Sequence, residues 1–185
     1  MTETDIDLIE GLRKQKTKTQ RAMLDRYGRD VFAQVARLVP GVENAEEVYQ
    51  DVFIKVFAHI REYDAERSAL KTWISRIAYN EAISYLRRKS QPVVYYEDRN
   101  GEADKLSDAE VNETFGRPNA ETVQLIRAAL KHLPPDERAI VTMFYYEEMS
   151  LKEIAYVTES IPTTVASKLC RTRKKLYKII KMLQS

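Results

Sequence analysis

From Thr163 onward the chain contains no Asp or Glu, and Lys168, Arg171, Lys175 and Lys178 recur at three- and four-residue steps. At about 3.6 residues per turn this spacing stacks cations along one side of a helix, an arrangement suited to binding phosphate. A second stripe, Val165, Leu169, Leu176, Ile180 and Leu183, lies roughly 100° away and marks a buried side. The preceding residues supply the partner element. Ser150 and Glu153 have the S-x-x-E spacing of a capping box, and Leu151, Ile154, Ala155 and Val157 suit one buried face. Thr158-Glu159-Ser160 reads as a turn, and Pro162 stands where a first helical turn tolerates proline. A short capped helix, a tight turn and a longer basic helix describe a helix-turn-helix whose second helix meets nucleic acid. A surface helix pair with a solvated basic face fits the same residues.

Two other faces carry interaction chemistry. Glu47, Gln50, Asp51 and Ile54 share one side of a helix, which suits a basic partner surface with an apolar anchor. Arg76, Asn80, Ser84 and Arg87 share a side of the next helix, which ends in Arg87-Arg88-Lys89. That ending complements the helix dipole and would equally suit phosphates. Catalytic chemistry has little to work with. His59, His132 and Cys170 are far apart and lack metal-ligand spacing, and there is neither a Gly-rich phosphate loop nor a G-x-S-x-G elbow. The expectation is a non-enzyme with no cofactor. His132 near a helix end and Cys170 on a helix surface read as structural positions.

The elements that must position these faces are helical. Charged residues make up 31% of the 185 and glycine is scarce, a composition that favours helices over sheets. The net charge is only +2, so distribution carries the signal: acids crowd the N-terminus and the middle, and the end is basic. No apolar run approaches a bilayer span, so membrane insertion is not expected, and the acidic start MTETDIDLIEG lacks the features of a signal peptide. One cysteine excludes an internal disulfide, consistent with a reducing, cytoplasmic location.

Periodicity predicts helices over 5–15, 19–39, 44–61 and 70–89, with Pro40-Gly41 as a break and Asn44/Glu47 as a capping box. Residues 90–118 are acidic, hold Pro92, Gly101, Gly116 and Pro118, and read as a flexible linker. Helices follow over 120–133 and after Pro134-Pro135-Asp136, leading into the hairpin. The predicted fold is all-α: small helical domains over 1–89 and 119–185, joined by the acidic linker over 90–118.

Two stretches together resemble the bacterial sigma-70 family of RNA polymerase sigma factors, in its extracytoplasmic-function (ECF) group. AEEVYQDVFIKVF (Ala45 to Phe57) is similar to the helix with which these factors hold the polymerase clamp. LKTWISRIAYNEAISYLRRK (Leu70 to Lys89) resembles the helix that reads and opens the −10 element. LPPDERAIVTMFYYEEMSLKEIA (Leu133 to Ala155) with TTVASKLCRTRKKL (Thr163 to Leu176) resembles the domain that reads the −35 element. The resemblance implies a transcription-initiation factor with core RNA polymerase, promoter DNA and an anti-sigma factor as partners. It assigns Glu47, Gln50, Asp51 and Ile54 to the polymerase. Flipped −10 bases would be captured by the loop before the Leu70 helix and by that helix. Tyr63, Arg76, Tyr79 and Asn80 are the candidates there, with Lys71, Arg87 and Arg88 on phosphates. Trp73 borders the core stripe and reads as packing. For −35 duplex the candidates are Thr164, Ser167, Lys168, Arg171 and Arg173.

The sequence also departs from the family pattern. Glu159 stands where the turn usually has glycine, implying a turn built differently, because a non-glycine left-handed residue costs about 1 kcal/mol. Ser160 replaces a common apolar residue, Ala166 replaces a frequent DNA-contacting base, and KQKTKT lacks the usual Gly-Asp. The competing function is a helix-turn-helix regulator acting without a polymerase interface.

Overall fold

The computed structural model describes residues 4–89, 96, 106, 107, 111 and 120–184. Most of the predicted linker therefore lies outside the described residues. Among the described residues the regular structure is helical: α1 (Asp5–Arg13), α2 (Thr17–Leu38), α3 (Val42–His59), a 3-10 turn (Ile60–Glu62), α4 (Leu70–Arg88), α5 (Ala120–Leu130), α6 (Pro135–Tyr145), α7 (Leu151–Val157) and α8 (Pro162–Gln184). By their contacts they form two compact units, Met1–Lys89 with Lys152–Ser160, and Ser90–Leu151 with Ile161–Ser185.

In the first unit α2, α3 and α4 pack against one another pairwise. Their apolar stripes supply Met23, Val31, Val35, Val48, Val52, Val56, Ile74, Ala78 and Ala82, all buried. Period-3.6 placement of these residues is what gives each helix a single core-facing side. Gly28 permits close packing, since a Cβ there would lie 2.7 Å from the Tyr49 hydroxyl. Tyr49 in turn meets Phe32 and Phe53 edge-on, with ring centroids 5.9 and 5.1 Å apart, geometry that the ring quadrupoles favour.

The first helix starts at Asp5 as expected, and the third starts earlier than expected. Residues Thr4 and Asp7 form a capping box on α1, which satisfies unpaired donors at its start. The Asn44/Glu47 box does not form. α3 begins at Val42, with Gly41 as N-cap at φ 89°, and the Asn44 amide donates instead to the Pro40 carbonyl at 2.8 Å. Glycine takes that positive φ without the steric cost of a Cβ, so the helix starts before the residue chosen from cap chemistry alone.

α1 is tied down at both ends. The Tyr27 hydroxyl donates to Asp5 at 2.7 Å, and Arg26 pairs with the same carboxylate at 3.2 Å. At the other end Arg13 donates to the Tyr63 carbonyl at 3.0 Å.

In the second unit α8 packs on both α5 and α6. Leu133, Ile140, Val141, Met143, Val165, Leu169, Leu176, Ile179 and Ile180 make its core. Pro135 occupies the first turn of α6, where its missing N–H costs nothing, and Asp136 and Glu137 complement the helix dipole there. Leu183, expected in the core stripe, is 43% exposed. The buried stripe runs through Thr172 and Ile179 instead and ends with Ile180.

Candidate partner and nucleic-acid interfaces

α3 presents Glu47, Gln50 and Ile54 to solvent, with Asp51 half-buried beside them. Ile54 is 64% exposed although its neighbours Val52, Phe53 and Val56 fill the core. The helix therefore has a buried side and an outward side that is acidic around one branched apolar residue. Neither Glu47 nor Asp51 pairs with a cation among the described residues, which leaves both carboxylates available to a basic surface.

On α4, Lys71, Asn80, Arg87 and Arg88 are exposed, and Tyr79 is half-buried. Arg87 and Arg88 occupy the last turn, where the helix dipole favours cations. Lys71 pairs with Asp30 of α2 at 2.9 Å. Arg76 is held more closely. Its guanidinium pairs with Glu159 at 2.5 Å and lies 5.1 Å from the centre of the Tyr156 ring, both in the stretch Lys152–Ser160 that belongs to this unit.

On α8, Thr164, Ser167 and Arg171 are exposed and Lys168 is half-buried. The Ser167 hydroxyl donates to the Thr163 carbonyl at 3.0 Å, and Arg171 Nε to the Ser167 carbonyl at 3.4 Å. At about 100° per residue, positions 164, 167, 168 and 171 fall within one third of the helix circumference.

Three comparisons with known proteins bear on these faces. The sigma-70 region 2 model matches residues 23–91, and the sigma-70 region 4 model matches residues 123–176. Over 176 residues the chain is 30% identical to the ECF RNA polymerase sigma-E factor of Escherichia coli (strain K12), covering 92% of this chain and 91% of that protein. The chain belongs to the extracytoplasmic-function group of sigma-70 factors.

This makes it a transcription-initiation sigma factor, and the reading as a helix-turn-helix regulator without a polymerase interface is not favoured. A second relative, the ECF RNA polymerase sigma factor SigM of Bacillus subtilis (strain 168), is 25% identical over 150 residues, covering 81% of this chain and 88% of SigM. The fold is shared with sigma factor RpoE of Bartonella quintana, solved in complex with the anti-sigma factor NepR. That likeness has a TM-score of 0.62 at 22% identity, over 87% of this chain and 96% of the other. CnrH, solved with the cytosolic domain of CnrY, gives 0.60 at 20% identity, over 95% and 96%.

Within this sigma factor the predicted −10 and −35 residues do not all have the environment their chemistry requires. Tyr63 is only 7% exposed. Its hydroxyl donates to the Ser68 carbonyl at 3.0 Å, and its ring packs edge-on against Trp73 at 5.5 Å. Burial, with the nearby Asp5, raises its pKa, so the phenol stays a neutral donor. Tyr63 is thus a largely buried residue at the start of the loop before α4. Trp73, 9% exposed, is core packing. Arg76 is engaged by Glu159 in a partly exposed ion pair.

Arg173 lies on a different side of α8 from Arg171. It is half-buried with its Nε enclosed, and its charge acts on Tyr145 of α6. Its position, about 200° from Arg171 at 100° per residue, already contained that information. Lys175, counted in the basic stripe, pairs with Glu137 of α6 at 2.5 Å and clamps two helices. Glu159 does adopt the left-handed conformation, φ 52°, so the turn expected to be built differently keeps the shape that glycine would give it.

Sequence reasoning missed Arg13, Asp30 and Glu159 as partners of site residues. Each lies far along the chain from the residue it holds, and no local spacing announces such a pair. No described helix is long and apolar enough to cross a membrane.

Proposed function

We propose that this sigma factor acts in the cytoplasm, without enzymatic activity of its own, by binding core RNA polymerase and directing it to promoters with −10 and −35 elements. Residues 1–89 would form the polymerase-binding and −10-reading domain, 119–185 the −35-reading domain, and 90–118 the linker between them. Glu47, Gln50, Asp51 and Ile54 would meet the polymerase. Lys71, Arg76, Tyr79, Asn80, Arg87 and Arg88 would serve the −10 strand, with the loop before α4 receiving a flipped base. Thr164, Ser167, Lys168 and Arg171 would serve the −35 duplex. The co-structure of the Bartonella quintana factor with NepR supports an anti-sigma factor as a further partner of this chain.

One observation carries this reading: the outward side of α3, where Ile54 stands 64% exposed among Glu47, Gln50 and Asp51. A folded helix gains nothing from displaying a branched apolar side chain between acids, whereas an interface with a basic rim and an apolar socket uses both. The test is reconstitution. The protein mixed with core polymerase should co-elute with it and direct transcription from discrete start sites on fragmented genomic DNA. Failure to co-elute, or transcription without discrete starts, would refute the proposal.

A further inference from the structure

We infer that Arg13 and Tyr63 are positioning residues that hold the loop before α4 in its strand-receiving shape before DNA arrives. The inference rests on the proposed −10 role of that loop. Tyr63 grips both ends of the segment. At the entry its carbonyl accepts from Arg13 of α1 at 3.0 Å. At the exit its own hydroxyl donates to the Ser68 carbonyl at 3.0 Å. Its ring is fixed edge-on to Trp73 of α4, 5.5 Å between centroids, so the brace is anchored to the helix that carries Asn80. Between those ends the backbone is further tied, with Glu66 N donating to Asp64 Oδ1 at 2.9 Å and Arg67 N to the Asp64 carbonyl at 3.3 Å. Asp64, Ala65, Glu66, Arg67 and Ala69 are exposed, Ser68 is half-buried, and Tyr63 is buried.

The consequence is thermodynamic. A loose loop would have to be ordered when it closes on a base, and that ordering would be subtracted from the binding free energy. A loop already closed by its own tyrosine avoids the loss, as functional sites held by a supporting shell do. Arg13 contributes from α1, outside the stretches matched to the sigma-70 region 2 and region 4 models. It is held near the loop because α1 packs through Leu8, Ile9 and Leu12 and Asp5 ties its start to Tyr27 and Arg26 of α2.

The experiment uses the full chain bound to core polymerase and a pool of single-stranded DNA randomised over the bound positions. The enriched strand is then compared with versions made abasic at each position in turn. The wild type should bind the intact strand more tightly than the strand abasic at the captured position. Tyr63→Phe should reduce that preference about fivefold, the scale of one neutral hydrogen bond, and Arg13→Met, which removes a charged donor, by at least as much, with Arg13→Lys retaining most of it. Affinity for the abasic strand and for core should not change, which separates loss of loop shape from general damage. If the wild type shows no preference at any position, the −10 role of the loop fails, and this inference with it. If the wild type discriminates and both variants discriminate equally well, the loop reading stands and the positioning role is refuted. Should Tyr63→Phe fail to fold, Arg13→Met decides alone.

Discussion

At the scale of single residues, charge on α8 sorts by where each side chain ends rather than by residue type. Arg171 is exposed, while Arg173 is half-buried with its Nε enclosed. Only the first can exchange a counterion for a phosphate. Arg171→Ala should therefore weaken binding to the promoter duplex and lower the slope of log affinity against log salt by about one phosphate contact. Arg173→Ala should leave that slope unchanged and lower the melting temperature, because it removes a charge packed near Tyr145. A salt titration of both variants, with thermal melts alongside, checks the pair of outcomes. Equal slopes for wild type and Arg171→Ala would take Arg171 off the backbone. Glu159 shows the opposite lesson: its left-handed backbone is unfavourable by about 1 kcal/mol, and its carboxylate is engaged by Arg76 at 2.5 Å. Both side chains of that pair are partly exposed, so the ion pair offsets only part of the strain.

At the scale of elements, the attachment of α1 to α2 has a pH signature. Burial first, and then the hydrogen bond to Asp5, raise the Tyr27 pKa above the usual tyrosine range. A group whose folded pKa is raised contributes stability that is fully present below its unfolded pKa, about 10, and is lost as pH rises through the folded value. Stability should thus decline above pH ~10, and Tyr27→Phe should flatten part of that decline. At pH 7 the same variant should be less stable by about 1.5 kcal/mol, the lower end for a hydrogen bond to a charged group, with Arg26 still on Asp5. Urea denaturation at neutral and alkaline pH measures both, and an unchanged alkaline slope would detach the titration from Tyr27. The helices themselves were legible because their apolar residues recur with the helical period, and α2, α3 and α4 bury the stripes that pattern marks. Helix starts were less legible. Asn44 has good cap chemistry, yet the positive φ at Gly41 sets the start of α3, and backbone handedness leaves no trace in periodicity. The exposed sides of the helices were legible where they follow from spacing, as with Ile54 and Arg171. Positions where residue type and burial compete were not. Tyr63 has the ring of a base-stacking residue, but a tertiary contact with Trp73 uses it.

At the scale of the whole molecule, the near-neutral charge of +2 conceals an asymmetry that bears on assembly. A chain with uniformly mixed charge would approach polymerase and DNA with little orientation. Here the outward side of α3 is acidic, while α8 and the end of α4 are basic, which suits the two different partners proposed for them. The test of this division is to invert one face and observe both partners. Gln50→Lys with Asp51→Lys changes the charge of the α3 side by three without touching a core residue, since Gln50 is exposed and Asp51 half-buried. Thermal melting should stay close to that of wild type. Affinity for core polymerase should fall at least tenfold, and most of the loss should disappear at high salt, where the reversed charges are screened. Duplex binding through α8 should be retained, because Thr164, Ser167, Lys168 and Arg171 are unaltered. An unchanged core affinity would remove the α3 side from the interface, and a loss that persists at high salt would mean that shape around Ile54, rather than charge, governs the contact.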